Sequence, residues 1–230
     1  MSESYLRGEP PIPLVLRRSA RARRISLRIS QLDGRVTLTL PNGVPEREAL
    51  DFAREKESWI RKHLSDRQED VAVKPGAVIP IGGQLHEVVQ GSGRRVCFEP
   101  GRVLVPGKAQ FVGKRLGGHL KTIARARLAE ASDHFSDKLG KKYSAITLRD
   151  TRSRWGSCTS EGRLMYSWRL ILAPPDVLDY VAAHEVAHLA QMNHSAAFWG
   201  EVEEIFGDYR RQRSWLRTEG SALHRFRFGS

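Results

Sequence analysis

The chain has 230 residues, 40% of them hydrophobic, with 38 Lys and Arg set against 26 Asp and Glu for a formal charge of +12. The length and apolar content allow one large or two small globular domains and exclude a collagen-like or low-complexity chain. Two cysteines, Cys97 and Cys158, exclude a disulfide framework, and the lack of any apolar run of about 18 residues excludes a membrane-spanning helix.

The cysteine usage fits a reducing compartment. The only apolar stretch near the N-terminus, Pro10-Pro11-Ile12-Pro13-Leu14-Val15-Leu16, is too short and proline-rich for a signal peptide. A cytoplasmic location is therefore expected. The positive surplus favours acidic partners such as nucleic acid or negatively charged substrates; the bland alternative is a basic surface that only aids solubility.

The first half reads as β-rich. Residues 14–16, 25–29 and 36–40 are strand candidates, the last two alternating about an Asp33-Gly34 turn, and Pro41-Asn42-Gly43 stops them. Pro45 then opens a helix on which Leu50, Ala53, Trp59, Ile60 and Leu64 recur with roughly helical spacing. Beyond polar residues 65–70, candidates at 78–81, 85–89, 96–98 and 103–105 are separated by Gly-Gly, Gly-Ser-Gly and Pro-Gly. That pattern suggests a small antiparallel sheet with hairpins. From residue 110 the pattern turns helical, with Leu116, Leu120, Ile123, Leu128, Ala131, Phe135 and Leu139 ahead of a capping Gly140.

Strand candidates at 146–148 and 164–168 flank a loop, 151–162. Pro174-Pro175-Asp176 starts a helix expected over 177–190, Ser195 caps another over 196–206 that Gly207 closes, and 208–216 forms a short basic helix. No internal repeat appears. The fold class is α+β, with a boundary expected near Pro106-Gly107: a β-rich N-terminal region over 1–107 and a second domain over 108–230.

The chemistry is carried by His184-Glu185-Val186-Ala187-His188, followed six residues later by His194. Histidines at i and i+4 lie one turn apart on the same helix face, so both imidazoles can reach one metal ion. Glu185, rotated about 100° from His184, can hold a metal-bound water. A third protein ligand would leave the fourth position open, as in catalytic rather than structural zinc. His194 stands after a helix end where the chain can turn back. Its separation from His188 matches metzincin-type sites, although Gln191 occupies their glycine position; the turn would then rely on Asn193, which tolerates left-handed backbone. Glu201 and Glu204 on the next helix are rival third ligands, or simply its solvated face.

Arg154-Trp155-Gly156-Ser157-Cys158, the His184 to Leu189 string, and Asn193-His194-Ser195 with Phe198-Trp199 together resemble the YgjP-like family of predicted zinc metallopeptidases. That family is related to the SprT/Spartan and WLM proteases of the zincin superfamily. The resemblance is specific over residues 111–206. It implies a zincin-like domain of helices and mixed sheet, zinc on His184, His188 and His194, and Glu185 as catalytic base.

Other residues carry two readings. Residues 152–158 can supply a substrate-binding edge strand with Arg154 or a backbone amide at the oxyanion, or they serve packing, with Gly156 as a turn. Cys158 is a small buried residue or an inhibitory thiolate on the open metal position. Phe198 and Trp199 are expected to pack the following helix on the metal helix. Tyr166 and Tyr209 are candidate donors to an oxyanion, unranked by the sequence. Two basic clusters, Arg17, Arg18, Arg21, Arg23, Arg24 and Arg28, and Arg210, Arg211, Arg213 and Arg217, can form phosphate-binding surface. The reading is a zinc-dependent hydrolase in which Glu185 activates a water to cleave amide bonds of a peptide or protein. The alternatives are a zinc hydrolase of nucleotides or other phosphorylated substrates, and a nucleic-acid-associated module with a vestigial site.

Overall fold

Period-two burial builds the first unit of a computed structural model, whose described residues are 2–30, 33–65 and 69–229. Its strands are β1 (Ser2–Leu6), β2 (Ile12–Arg18), β3 (Ser26–Ile29) and β4 (Val36–Leu40). They form one sheet in the order β1-β2-β4-β3, with antiparallel outer pairs and a parallel β2/β4 pair at the centre. Every second side chain of the central pair, Leu14 and Leu16 with Val36, Leu38 and Leu40, is buried. They pack with Ala49 and Ala53 of α1 (Glu46–Glu55) and Ile60 of α2 (Glu57–Ser65). The hairpin between β3 and β4 turns at Gly34, where φ of 70° suits glycine. The single helix expected after Pro45 is interrupted at Lys56, although no glycine or proline marks the break. Strand β1 was not expected; only its pairing with β2 defines it.

The second unit begins at Asp70. After β5 (Val71–Ala72), strands β6 (Val78–Ile81), β7 (Gln84–Gly91), β8 (Cys97–Glu99) and β9 (Arg102–Pro106) assemble as β6-β7-β9-β8. The expected all-antiparallel sheet is corrected: β7 and β9 run parallel, because the chain leaves β7, forms the edge strand β8 and returns beside β7. The order and pairing repeat those of the first sheet, and in each case a helix follows the last strand of the sheet. The sequence shows no repeat because strand pairing depends on backbone hydrogen bonds and a period-two pattern that many side chains satisfy.

The boundary expected at residue 107 is also corrected. Val103 and Val105 of β9 are buried in the same core as Val112, Leu116 and Leu120 of α3 (Val112–Leu139), so this sheet belongs with the helices that follow it. The compact units divide after Glu69. Helix α3 ends as expected at Gly140, left-handed at φ 69°.

Strands β10 (Ala145–Arg149), β11 (Gly156–Cys158) and β12 (Arg163–Ser167) form a mixed sheet in which β12 is central, parallel to β10 and antiparallel to β11. Edge strand β11 lies inside the stretch read as a loop, since three residues, Gly-Ser-Cys, carry too little pattern to register. Pro174 and Pro175 open α4 (Pro175–Ala187), with eight apolar residues among its buried positions, from Val177 to Ala187. Ser195 caps α5 (Ala196–Phe206) by accepting the Phe198 amide at 3.4 Å. Then α6 (Arg210–Thr218) precedes a short β13 (Phe226–Arg227), which pairs with β5. The architecture is α+β. Among the described residues, no helix is long and apolar enough to cross a membrane.

Candidate metal centre

Helix α4 ends at Ala187 rather than at residue 190. The amides of Leu189 and Ala190 bond three residues back, to Val186 and Ala187, which tightens the last turn. His188 caps the helix with near-helical angles, φ −64° and ψ −16°, so the one-turn spacing from His184 survives. Its Nδ1 lies 2.9 Å from the Gln191 carbonyl oxygen. A carbonyl only accepts, so that bond puts the proton on Nδ1 and leaves the Nε2 lone pair free for a metal.

The chain then turns back as the spacing requires, but by a different device. No non-glycine residue among those described has positive φ; instead the Asn193 side-chain oxygen accepts the Ser195 amide at 3.1 Å, an Asx turn. His194 Nε2 thereby comes to 3.1 Å from His184 Nε2. One potential ligand atom from each of His184, His188 and His194 lies within 4.8 Å of the others. Zinc–nitrogen bonds of about 2.0–2.1 Å set the edge of a tetrahedron at roughly 3.3 Å, so the close pair suits two corners of one. Glu201 and Glu204 do not join the group.

The rings are held by packing. Phe198 is fully buried and stacks on His188 at 4.4 Å, with His194 at 4.8 Å and His184 at 4.9 Å from its centroid. Trp199 and Tyr180 close over His184 at 5.7 and 6.0 Å. His184 Nδ1 is buried without a hydrogen-bond partner among the described residues, so packing and the Nε2 contact with His194 set that ring. Burial and the neighbouring His188 and His194 push its pKa down to about 3, keeping the imidazole neutral and able to ligate. Burial also lowers His188.

Glu185 is 5% exposed. Burial lifts its carboxyl to about 8, and the Arg154 charge opposes that only in part. Its side chain packs on the backbone of Gly156 at the start of β11: a methyl group built there would lie 2.7 Å from the carboxyl carbon. Gly156 is therefore a strand residue that makes room for Glu185, not a turn. The sequence offered no signal for this beyond the glycine itself.

Residues 23–219 match the family model described as YgjP-like, metallopeptidase domain. The chain belongs to this YgjP-like metallopeptidase family. The family implies a metal ion and peptide substrates. Among solved structures, the crystal structure of the metallopeptidase zymogen abylysin from Pyrococcus abyssi is similar at 22% identity and a TM-score of 0.36, over 40% of this chain and 95% of its own. The comparison with curated proteins finds no match.

The remaining candidates of this YgjP-like chain sort by burial. Tyr166 is fully buried with its hydroxyl 3.0 Å from Ser132, which removes it from the candidates that can reach a substrate. Tyr209 stacks on Trp199 at 5.1 Å and Tyr180 at 5.9 Å. Cys158 stands outside the metal group; burial and the Glu185 charge raise it to about 11, so it is a thiol. Phe198 and Trp199 pack as expected and also contact the histidines. In the N-terminal cluster Arg17, Arg21, Arg23, Arg24 and Arg28 are exposed, while Arg18 donates to the carbonyls of Asn42 and Val44 at 3.0 and 2.9 Å.

Proposed function

We propose that this YgjP-like metallopeptidase is a zinc enzyme in which His184, His188 and His194 hold the ion and Glu185 is the general base. The observation that carries the reading is the convergence of three imidazoles beside one buried carboxyl. An all-imidazole donor set suits zinc better than magnesium or calcium, which favour oxygen ligands. Three protein ligands leave room for water or substrate.

When bound, zinc supplies Lewis acidity, polarising the scissile carbonyl and acidifying a coordinated water. Glu185 takes the proton from the attacking water and passes it to the departing amine nitrogen. Its burial raises its affinity for that proton, so it can hold it between the two steps. Gly156 positions the carboxyl. Edge strand β11 has one free side for an extended peptide, and Arg154 supplies positive charge near the carboxyl.

Metal analysis of the purified protein alongside Glu185→Gln tests the reading. Wild type should hold one zinc and cleave a peptide; the variant should keep the zinc and lose at least about a hundredfold in rate. A metal-free wild type, or a variant with full activity, defeats the idea. A second reading, hydrolysis of nucleotides or other phosphorylated substrates, draws on the +12 charge. Assaying nucleotides and peptides side by side separates the two. The two free cysteines also favour a reducing, cytoplasmic setting.

A further inference from the structure

Helix α6 reads Arg210-Arg211-Gln212-Arg213-Ser214-Trp215-Leu216-Arg217-Thr218. Three- and four-residue spacing puts Arg210, Arg213 and Arg217 along one side. Gln212 donates to Asp176 in the first turn of α4 at 3.0 Å, and Trp215 and Leu216 pack against the core. The arginine side lines a cavity of about 550 Å³ with Trp155, Ser214 and Leu216, and among the described residues no acidic one contributes to its walls.

Arg210 is paired with Asp208 at 3.3 Å and Glu203 at 3.8 Å. Arg213 and Arg217 have no carboxylate and no side-chain hydrogen bond among the described residues. Unpaired surface arginines are ordinary; Arg213 differs because it is held. Its guanidinium lies 4.4 Å over the Trp199 ring, which stacks on Tyr209, which stacks on Tyr180. Stacking fixes the plane of the guanidinium and leaves its N–H edge available.

Two residues of its walls lead to the metal centre through one neighbour each, Arg213 through Trp199 and Trp155 through Gly156. Trp199 lies 5.7 Å from His184 and 5.8 Å from His194, and the Arg213 charge is felt at His184 and Tyr180. On the other wall, Trp155 immediately precedes Gly156, which carries Glu185 on its backbone. Trp155 is itself seated: a methyl group on Gly220 would lie 3.1 Å from its indole, and His224 packs 5.1 Å from it.

We propose that this cleft, between Trp155 and the Arg213 and Arg217 guanidinium groups, binds a carboxylate of the peptide substrate and so selects acidic peptides. The proposal rests on the peptidase reading above. A carboxylate accepts paired N–H bonds from the planar guanidinium of Arg213, with Arg217 adding charge. The carboxylate comes from an Asp or Glu side chain near the scissile bond or from the peptide's own C-terminus.

The test uses the zinc-loaded full chain as wild type, Arg213→Gln, Arg213→Glu and Arg217→Gln. One quenched peptide scaffold carries Glu, Gln or Lys at each position around the cut, with a free or an amidated C-terminus. Cleavage is followed as kcat/KM, and binding is followed by anisotropy in a Glu185→Gln background. Wild type should favour a Glu peptide, or the free C-terminus, by at least about tenfold. Arg213→Gln should remove most of that preference, Arg217→Gln part of it, and Arg213→Glu should turn it toward Lys, with zinc content unchanged.

Cleavage without charge preference, or with a preference that Arg213→Glu leaves intact, overturns the cleft and spares the peptidase reading. Arg213-dependent binding of acidic peptides that are never cut upholds the cleft and removes the peptidase reading. Absence of both binding and cleavage, above all with hydrolysis of a nucleoside triphosphate instead, overturns both.

Discussion

Glu185 fits where it does because Gly156 has no side chain: a methyl group at that Cα would stand 2.7 Å from the Glu185 carboxyl carbon, well inside contact distance. The obstacle would be a buried carboxyl held by α4 and not the free end of an exposed chain, so it cannot yield cheaply. Gly156→Ala should therefore displace Glu185 while leaving the histidines in place. We expect peptide cleavage to fall at least about tenfold and stability by roughly 1–3 kcal/mol, the range for overpacking, with zinc stoichiometry unchanged. Metal analysis, urea denaturation and a rate assay on the same preparation check this. Full activity in the variant would show that Glu185 is not constrained from this side.

Metal removal should act on stability as well as activity. Three imidazoles that the fold converges, and that the unfolded chain does not hold in place, make the ion a ligand chiefly of the native state. At free zinc about a thousandfold above its dissociation constant, binding adds about 4 kcal/mol, or roughly 10 °C in Tm for a chain of this size. Chelation should remove that shift and re-addition restore it. His194→Ala should abolish the zinc-dependent part, whereas Glu201→Ala and Glu204→Ala should preserve it. A shift lost with either glutamate instead would move the third ligand to α5.

The features that were legible in the sequence are those a few residues can encode. His184 and His188 share a face through helical spacing, Ser195 and Gly207 end α5 through capping chemistry, and His194 follows a break in the pattern. What escaped depends on residues far apart in the chain. Gly156 meets Glu185 across 29 positions, Arg213 meets Trp199 from the next helix, and the parallel pairing of β7 with β9 is settled by where β8 sits. The assignment of β6–β9 to the metal-binding unit needed the core that Val103 and Val105 share with α3, which alternation alone cannot reveal.

Arg169 should prove a costly residue to leave unpaired. It is 6% exposed, and its guanidinium donates to both oxygens of Asp150, at 2.6 and 3.2 Å, and to the carbonyls of Leu223 and Phe226, each at 3.0 Å. These bonds tie the C-terminal segment to the chain just after β10. Breaking a fully buried pair costs about 3–5 kcal/mol; Asp150 has a side chain 49% exposed, so solvent screens part of the loss. Asp150→Asn should cost about 2 kcal/mol by urea denaturation. A change within about 0.5 kcal/mol would mean that the carbonyls and water satisfy Arg169 unaided.

His224, packed on Trp155 beside the same pair, should give the fold an acid-sensitive component. Burial lowers its pKa to about 4, and the charges of Arg169, Arg152 and Arg227 add to that while Asp150 opposes it. Unfolded, it titrates near 6.5. Above that value both states are neutral there and its contribution is fully present. Between pH 6.5 and about 4 the unfolded chain binds a proton that the folded chain refuses, so stability falls as pH falls, by up to about 3 kcal/mol. At Asp150 burial is the largest influence and raises the carboxyl, but the hydrogen bond and charge of Arg169, with His224 and Trp168, together hold it below its usual value, so stability is lost in the same direction at lower pH. His224→Phe keeps a ring against Trp155 and removes the titration. Urea midpoints measured on chelated protein from pH 7.5 to 4.5 should drop less steeply in this variant than in wild type. Parallel profiles would mean that His224 is protonated equally in both states.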